Sequence, residues 1–186
     1  MVPVPMRIDA IEIRHVAMPL LHPWKTASHE ATAIHALFVR LESGGVSAWG
    51  EAAPLSDPTY SPEWASTAFT TIETWLAPAL LGEDVTSGDD LQRRLEIFKG
   101  NYFAKGVLDC AWWALDAKLK GVPLHRHVGG VHDRIEIGAD FGVADSYDTL
   151  IAQIGGALDE GFRRVKLKFR PGWDVEMVAA VRSAFP

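Results

Sequence analysis

Hydrophobic and polar positions alternate most cleanly late in the chain, where Val165, Leu167 and Phe169 interleave with Lys166 and Lys168 ahead of Pro171-Gly172. A period of two is the signature of a strand, and the Pro-Gly pair stops it. Both lysines then point to one face. On either side the pattern predicts helices, Ser146 to Asp159 with Gly161 as its stop and Trp173 to Phe185, and a further strand over Ile135 to Val143. Strand, helix, strand, helix is the opening of a parallel α/β domain. A strand in that setting is normally apolar on both faces, so the paired lysines need a reason. The pattern leaves two open: a solvated edge strand guarded by lysine, or two amines inside a barrel at the carboxyl end of a strand, where barrel enzymes keep their chemistry.

The first two thirds of the chain reads differently. Arg7 to Met18 is a strand ending at Pro19, Ala33 to Leu41 and Val46 to Ala53 form a hairpin around Ser43-Gly44-Gly45, and the three together predict a small antiparallel sheet. Leu20 to His29, including Trp24, Lys25, Thr26 and Ser28, lacks periodicity and reads as a loop, as does the proline-rich stretch Pro54 to Pro62. Ser61-Pro62-Glu63 predicts a helix start, with Ser61 as N-cap and Pro62 at the first helical position; Trp64, Ala68, Ile72, Trp75 and Leu76 carry it to Pro78. A short helix follows from Ser87 to Phe98. Asn101 to Leu119 is the strongest helical pattern, apolar nearly all round and closed by Gly121 and Pro123, which predicts burial between layers. A last helical turn over Pro123-Leu124 ends at Gly129-Gly130, which marks the domain junction.

Composition narrows the class. Apolar residues make up 48% of the 186 and charged residues 23%, an ordinary globular balance, and the net charge of -6 argues against nucleic acid as a partner. No apolar run approaches a membrane span and no signal peptide is visible, so a cytoplasmic protein without a membrane partner is expected. Cys110 is the single cysteine, which excludes an intrachain disulfide, and its apolar neighbours make it a core residue by expectation. His125, His127 and His132 stand close in sequence, but without carboxylate or cysteine at ligand spacing they are read as surface histidines.

Several motifs resemble one known group of enzymes. Asn101-Tyr102-Phe103-Ala104-Lys105, Asp109 to Lys118, Gly121-Val122-Pro123-Leu124 and Gly129-Gly130 resemble the segment joining cap to barrel in the enolase superfamily, and Lys166-Leu167-Lys168 resembles its Lys-x-Lys motif on the second barrel strand. Gly50-Glu51-Ala52, Tyr60-Ser61-Pro62-Glu63 and Lys166 to Asp174 are most similar to o-succinylbenzoate synthases and N-acylamino acid racemases. The resemblance covers almost the whole chain. It implies an α+β capping domain, a three-stranded antiparallel sheet plus helices, over residues 1–130, followed over residues 131–186 by the first two βα units of a (β/α)8-type barrel, truncated.

The resemblance also implies a chemistry: removal of a proton alpha to a carboxylate, through an enediolate held by Mg2+ or Mn2+, on a small carboxylate substrate, in a homo-oligomer when intact. Lys168 would transfer the proton and Lys166 would sit beside it; the pairing of such a base with Mg2+ is an established example of this enzyme class. Ammonium groups at i and i+2 are about 7 Å apart and repel by about 2.4 kcal/mol at an effective dielectric near 20, which favours one neutral amine. Trp24, Lys25, Thr26 and Tyr60 would bind and cover the substrate, although the Leu20 to His29 loop could equally be an ordinary connector. Metal ligands are expected beyond Pro186, with none in this chain. Dehydration to o-succinylbenzoate in the menaquinone pathway and racemisation of N-acylamino acids both fit, with dipeptide epimerase and muconate cycloisomerase activities as alternatives. A non-catalytic fragment acting only by association is the alternative of another class.

Overall fold

A computed structural model describes residues 5–27 and 29–186; Ser28, within the stretch read as a loop, lies outside them. The chain divides into two compact units. One comprises the residues up to Pro19 with Ala33–Val131, the other Leu20–Thr32 with His132–Pro186. Residues 20–32 fall within 1–130 by sequence but group with the second unit.

Strands β2 (Ala10–Lys25), β3 (Glu30–Ser43) and β4 (Val46–Ala52) form a three-stranded sheet in that order, residues 10–19, 33–43 and 46–52 of it lying in the first unit, where β1 (Met6–Arg7) pairs separately and antiparallel with β5 (Asp84–Val85). Ser43 faces Val46 across a two-residue turn whose glycines, Gly44 and Gly45, have φ of 56° and 80°. Two successive positive φ values define the turn whose twist matches a hairpin, and glycine adopts them without strain. Leu37, Val39 and Leu41 stand opposite Ala52, Gly50 and Ala48, and this face is buried.

Helix α3 (Tyr102–Leu119) packs on that face. A Cβ at Gly50 would lie 2.2 Å from the Val107 carbonyl oxygen and 2.5 Å from the Ala111 nitrogen, so the sheet meets the helix backbone directly and only glycine fits. The core joins Leu37, Val39 and Leu41 to Val107, Leu108, Ala111 and Leu115 of α3, Ile72 and Leu76, and Leu91 and Leu95 of α2 (Gly88–Leu95). Ser87 caps α2, its hydroxyl accepting from Asp90 N at 3.1 Å, and the helix ends at Leu95, short of Phe98. Gly121, at φ 67°, closes α3 as its sequence position predicts. Only one face of α3 is buried, however, and Cys110 lies on the exposed face, not in the core.

Two expectations at helix ends give way to longer-range bonding. Helix α1 begins at Ala65, running Ala65–Thr71 and continuing as one wider turn over Ile72–Leu76. Ser61 does not cap it: its hydroxyl accepts from Glu63 N at 3.0 Å and donates to Glu63 O at 2.9 Å, a local turn. That turn delivers the Glu63 carboxylate to the start of α3, where it accepts from Tyr102 N at 2.6 Å and Phe103 N at 3.0 Å. A carboxylate there satisfies free backbone donors and meets the positive end of the helix dipole. Trp75 is 59% exposed and does not join the apolar face to which its spacing assigns it. His127, on the short helix α4 (Leu124–His127), is no surface histidine: its ring lies 5.5 Å from that of Trp113, tilted by 57°, and its Nε2 lies 2.7 Å from Asp116 Oδ2.

The second unit has a parallel pair, β6 (Ala139–Phe141) and β7 (Val165–Leu167), joined through α5 (Tyr147–Asp159) and followed by α6 (Asp174–Ala184). Ser146 caps α5, accepting from Thr149 N at 3.1 Å, and Gly161 stops it at φ 99°. Both strands are shorter than their patterns predict. Ile135 and Ile137 are 77% and 61% exposed and lie outside β6, because the parallel pairing spans only three residues on each strand. Leu150, Ile154 and Met177 are the buried residues of this unit's core, with Phe141, Val165, Leu167 and Phe185 packed around them.

Candidate active site

The second unit holds five of the six expected site residues. Lys166 faces Asp140 in the β6–β7 register, and its Nζ lies 3.0 Å from the Asp140 carboxylate. The register creates this pair. Asp140 and Lys166 are 26 positions apart, and only parallel pairing of β6 with β7 sets them side by side. Lys168 follows β7 directly, and its Nζ stands 5.6 Å from the centroid of the Trp24 ring, within cation-π range.

Trp24 and Lys25 lie on strand, correcting the loop expectation: β2 runs unbroken through Pro19 and Pro23 to Lys25. Proline removes a backbone donor, but β2 is the outer strand of the order β2-β3-β4, where the missing donor is tolerated. These residues lack alternation because this part of the arm covers no core on either face; Leu21, for example, is 97% exposed. Around the tip, the Thr26 hydroxyl both donates to His29 O and accepts from His29 N, each at 3.1 Å, so Thr26 is spent on holding the turn. The Lys25 carbonyl accepts from Val143 N at 3.1 Å, and its ammonium lies 3.4 Å from Asp145. The tip is thereby fastened to the segment that follows β6.

Two recesses adjoin this fastening. One, of about 320 Å³, is lined by Lys25, Thr26, His29, Glu30, Asp145 and Arg170, among others. The other, of about 690 Å³, is lined by Trp24, Lys25, Asp140 and Phe141, by Gln153 of α5 and by Glu160 just past its end. Arg170 is steered by the Trp173 ring, 4.9 Å from its guanidinium. Tyr60 belongs to the first unit and is 84% exposed. Sequence reasoning missed Asp140, Asp145 and Arg170. Asp140 could have been found by asking which polar residue of the preceding strand shares the lysine face; Asp145 and Arg170 follow the strands in connections and carry no periodic signal.

Among the described residues, no group of three or more His, Cys, Asp or Glu side chains is placed to hold a metal ion. Of the acids lining the two recesses, Asp140 and Asp145 are engaged with lysines, and Glu30 and Glu160 each line a different recess. A lysine-paired carboxylate beside further ammonium groups is a poor match for a hard divalent cation, which takes clustered oxygen ligands. The described residues therefore do not fit the Mg2+ or Mn2+ that the resemblance implies. No helix among the described residues is long and apolar enough to cross a membrane.

A three-stranded sheet packed on α3 is followed along the chain by a parallel βαβα unit that carries Lys166 and Lys168 at the end of its second strand. Residues 8–129 match the family model for the mandelate racemase / muconate lactonizing enzyme N-terminal domain, and the chain belongs to that family. It is 37% identical over 181 residues to an N-succinylamino acid racemase of Thermus thermophilus, covering 97% of this chain and 49% of that one, and 35% identical over 182 residues to an o-succinylbenzoate synthase of Geobacillus kaustophilus, covering 97% and 48%. An enolase superfamily member from Listeria innocua superposes with a TM-score of 0.91 at 29% identity, over 97% of this chain and 49% of that one. The chain spans about half the length of the curated relatives it matches.

Proposed function

We propose that this chain supplies the cap and the base-bearing strand of an enzyme that removes a proton alpha to a carboxylate, acting as an o-succinylbenzoate synthase, an N-acylamino acid racemase, or both. The observation that carries the reading is the position of Lys168, at the carboxyl end of β7 and under the Trp24 ring of the hairpin tip. The indole supplies a wall that excludes water from one side of the amine, and Lys166, tied to Asp140, stands next along the strand. A neutral Lys168 takes the alpha proton, and the electron pair of the broken C–H bond moves onto the substrate carboxylate as an enediolate. The resulting ammonium can then give its proton to a departing hydroxyl so that water leaves, which is dehydration; racemisation instead needs carbon to be protonated from the opposite face, by a second lysine that the resemblance puts beyond Pro186.

The divalent metal of this chemistry would neutralise the enediolate; its ligands would have to come from outside the described residues, and no step above depends on its geometry. Trp24 and Lys25 act as substrate-covering residues, and Tyr60 is proposed as a further contact. Thr26 contributes by shaping the turn. The catalyst is proposed to be cytoplasmic and to act as a homo-oligomer on a small carboxylate.

The test is made in the enzyme that carries this chain. Lys168→Ala should lower kcat by several orders of magnitude and leave the thermal transition nearly unchanged. Lys168→Arg should fail as well, since guanidinium does not release its proton at usable pH. Substantial turnover in either variant would remove Lys168 from the reaction.

A further inference from the structure

Outside the proposed active site, one pair of side chains has the geometry of a ligand set. His15 on β2 and His35 on β3 face each other across the sheet, with His15 Nε2 and His35 Nδ1 3.0 Å apart, ring centroids 5.2 Å apart and ring planes inclined at 51°. Both belong to the first unit, and the Lys168 chemistry uses neither. Their contact is exposed, so a small ion and its waters can reach it.

We infer that His15 and His35 form a two-histidine chelate for a divalent transition metal that accepts ligands at right angles, Cu(II) or Ni(II). Neutral imidazole is the favoured ligand of these ions, and the Irving–Williams order places them above the other divalent first-row metals at nitrogen sites. With metal–nitrogen bonds of about 2.05 Å, two cis positions of a square or octahedral ion lie about 2.9 Å apart, a span within reach of two rings whose nitrogens already stand 3.0 Å from each other.

In the metal-free pair one ring N–H donates to the other ring's lone pair. Binding needs each ring to turn about χ2, a broad and shallow torsion in histidine, until both lone pairs aim at one point. The shared proton moves to the ring nitrogen away from the metal, so the histidine tautomer changes and the net charge of the pair does not. The backbone need not move, because adjacent strands already hold the two side chains at this spacing. Water completes the coordination, since no third His, Cys, Asp or Glu among the described residues joins the pair.

Calorimetric titration of the full chain with nickel sulfate at pH 7.5, without added chelator, tests the assignment. One site per chain is expected. His15→Gln and His35→Gln should each weaken it about 100-fold, since either change turns a chelate into a single ligand; exposed His132→Gln should leave it intact. Equal binding in wild type and both pair variants would overturn the proposal. So would loss in one pair variant alone, which indicates a single imidazole acting without its partner. As a second reading that needs no variant, Cu(II) bound at one equivalent should show hyperfine coupling to two ring nitrogens by electron paramagnetic resonance, and coupling to only one would equally overturn it.

Discussion

The two compact units differ most in what holds them together. In the first, strands β3 and β4, α3, α2 and the Ile72–Leu76 turn enclose one continuous core in which Leu37, Val39, Leu41, Leu108 and Leu115 are fully buried. In the second, Leu150, Ile154 and Met177 are buried beneath two strands of three residues each, while Ile135, Ile137 and Phe169 stand more than half exposed. The unit with the larger core carries little of the proposed chemistry, and the unit with the smaller core carries Lys166, Lys168 and the tip residues Trp24 and Lys25. Binding and catalytic residues on a less tightly packed segment are a common arrangement, because local stability varies within one chain.

The largest expected effect is at Gly50. Gly50→Ala places a methyl inside the contact distance of the α3 backbone, and neither the strand nor the helix can yield without opening the core; a loss of about 3 kcal/mol is expected in the first unit. Thermal denaturation followed by the near-ultraviolet signal of the tryptophans would register it, and an unchanged midpoint would mean that sheet and helix are not in direct contact. Next come two matched truncations. Leu108→Ala should cost about 2–5 kcal/mol and lower the main unfolding transition. Ile154→Ala removes one of the three buried side chains of the second unit, so its effect should be confined to amide exchange of α5, α6 and β7. Equal effects of both on the main transition would show that the units unfold as one.

Smaller effects probe the ends of elements. Glu63→Gln keeps the hydrogen-bond acceptor but removes the charge at the start of α3, and a loss of about 1 kcal/mol is expected in a denaturant titration. Mild acid should also weaken the first unit. The Thr86 backbone N–H, then Arg94, hold the Asp90 carboxyl below the usual range, and hydrogen bonds from Arg40 and Arg14 do the same for Glu12. A carboxyl whose folded pKa is depressed binds its proton first in the unfolded state, so its stabilisation is complete above about pH 4–5 and is lost as pH falls through the depressed value. Asp90→Asn should flatten that acid-side slope. A slope unchanged from wild type would assign the acid sensitivity to other groups.

Much of this contrast was legible in the residues. The glycine pair at 44 and 45 and Gly121 and Gly161 as stops each express a local rule, and the structure places each where the rule does. What escaped depends on partners distant in sequence. Glu63 looks like the first turn of its own helix and instead serves the start of α3. The tip arm from Leu20 to Lys25 hides its strand because it buries no face, and two prolines suggest a break that an outer strand does not suffer. Asp140 pairs with Lys166 only through a parallel register that no local pattern specifies. Cys110 was misplaced because a helix rich in apolar residues still presents one face to solvent.

Hydrogen exchange of the whole chain at low concentration, read by mass spectrometry peptide by peptide, tests the contrast directly. The account predicts that amides of Tyr102–Leu119 are the slowest in the molecule and that those of β6, β7 and the segment from His132 exchange orders of magnitude faster. Uniform, high protection running from α3 through Lys168 would contradict it and show that the lysine-bearing unit is as firmly held as the cap.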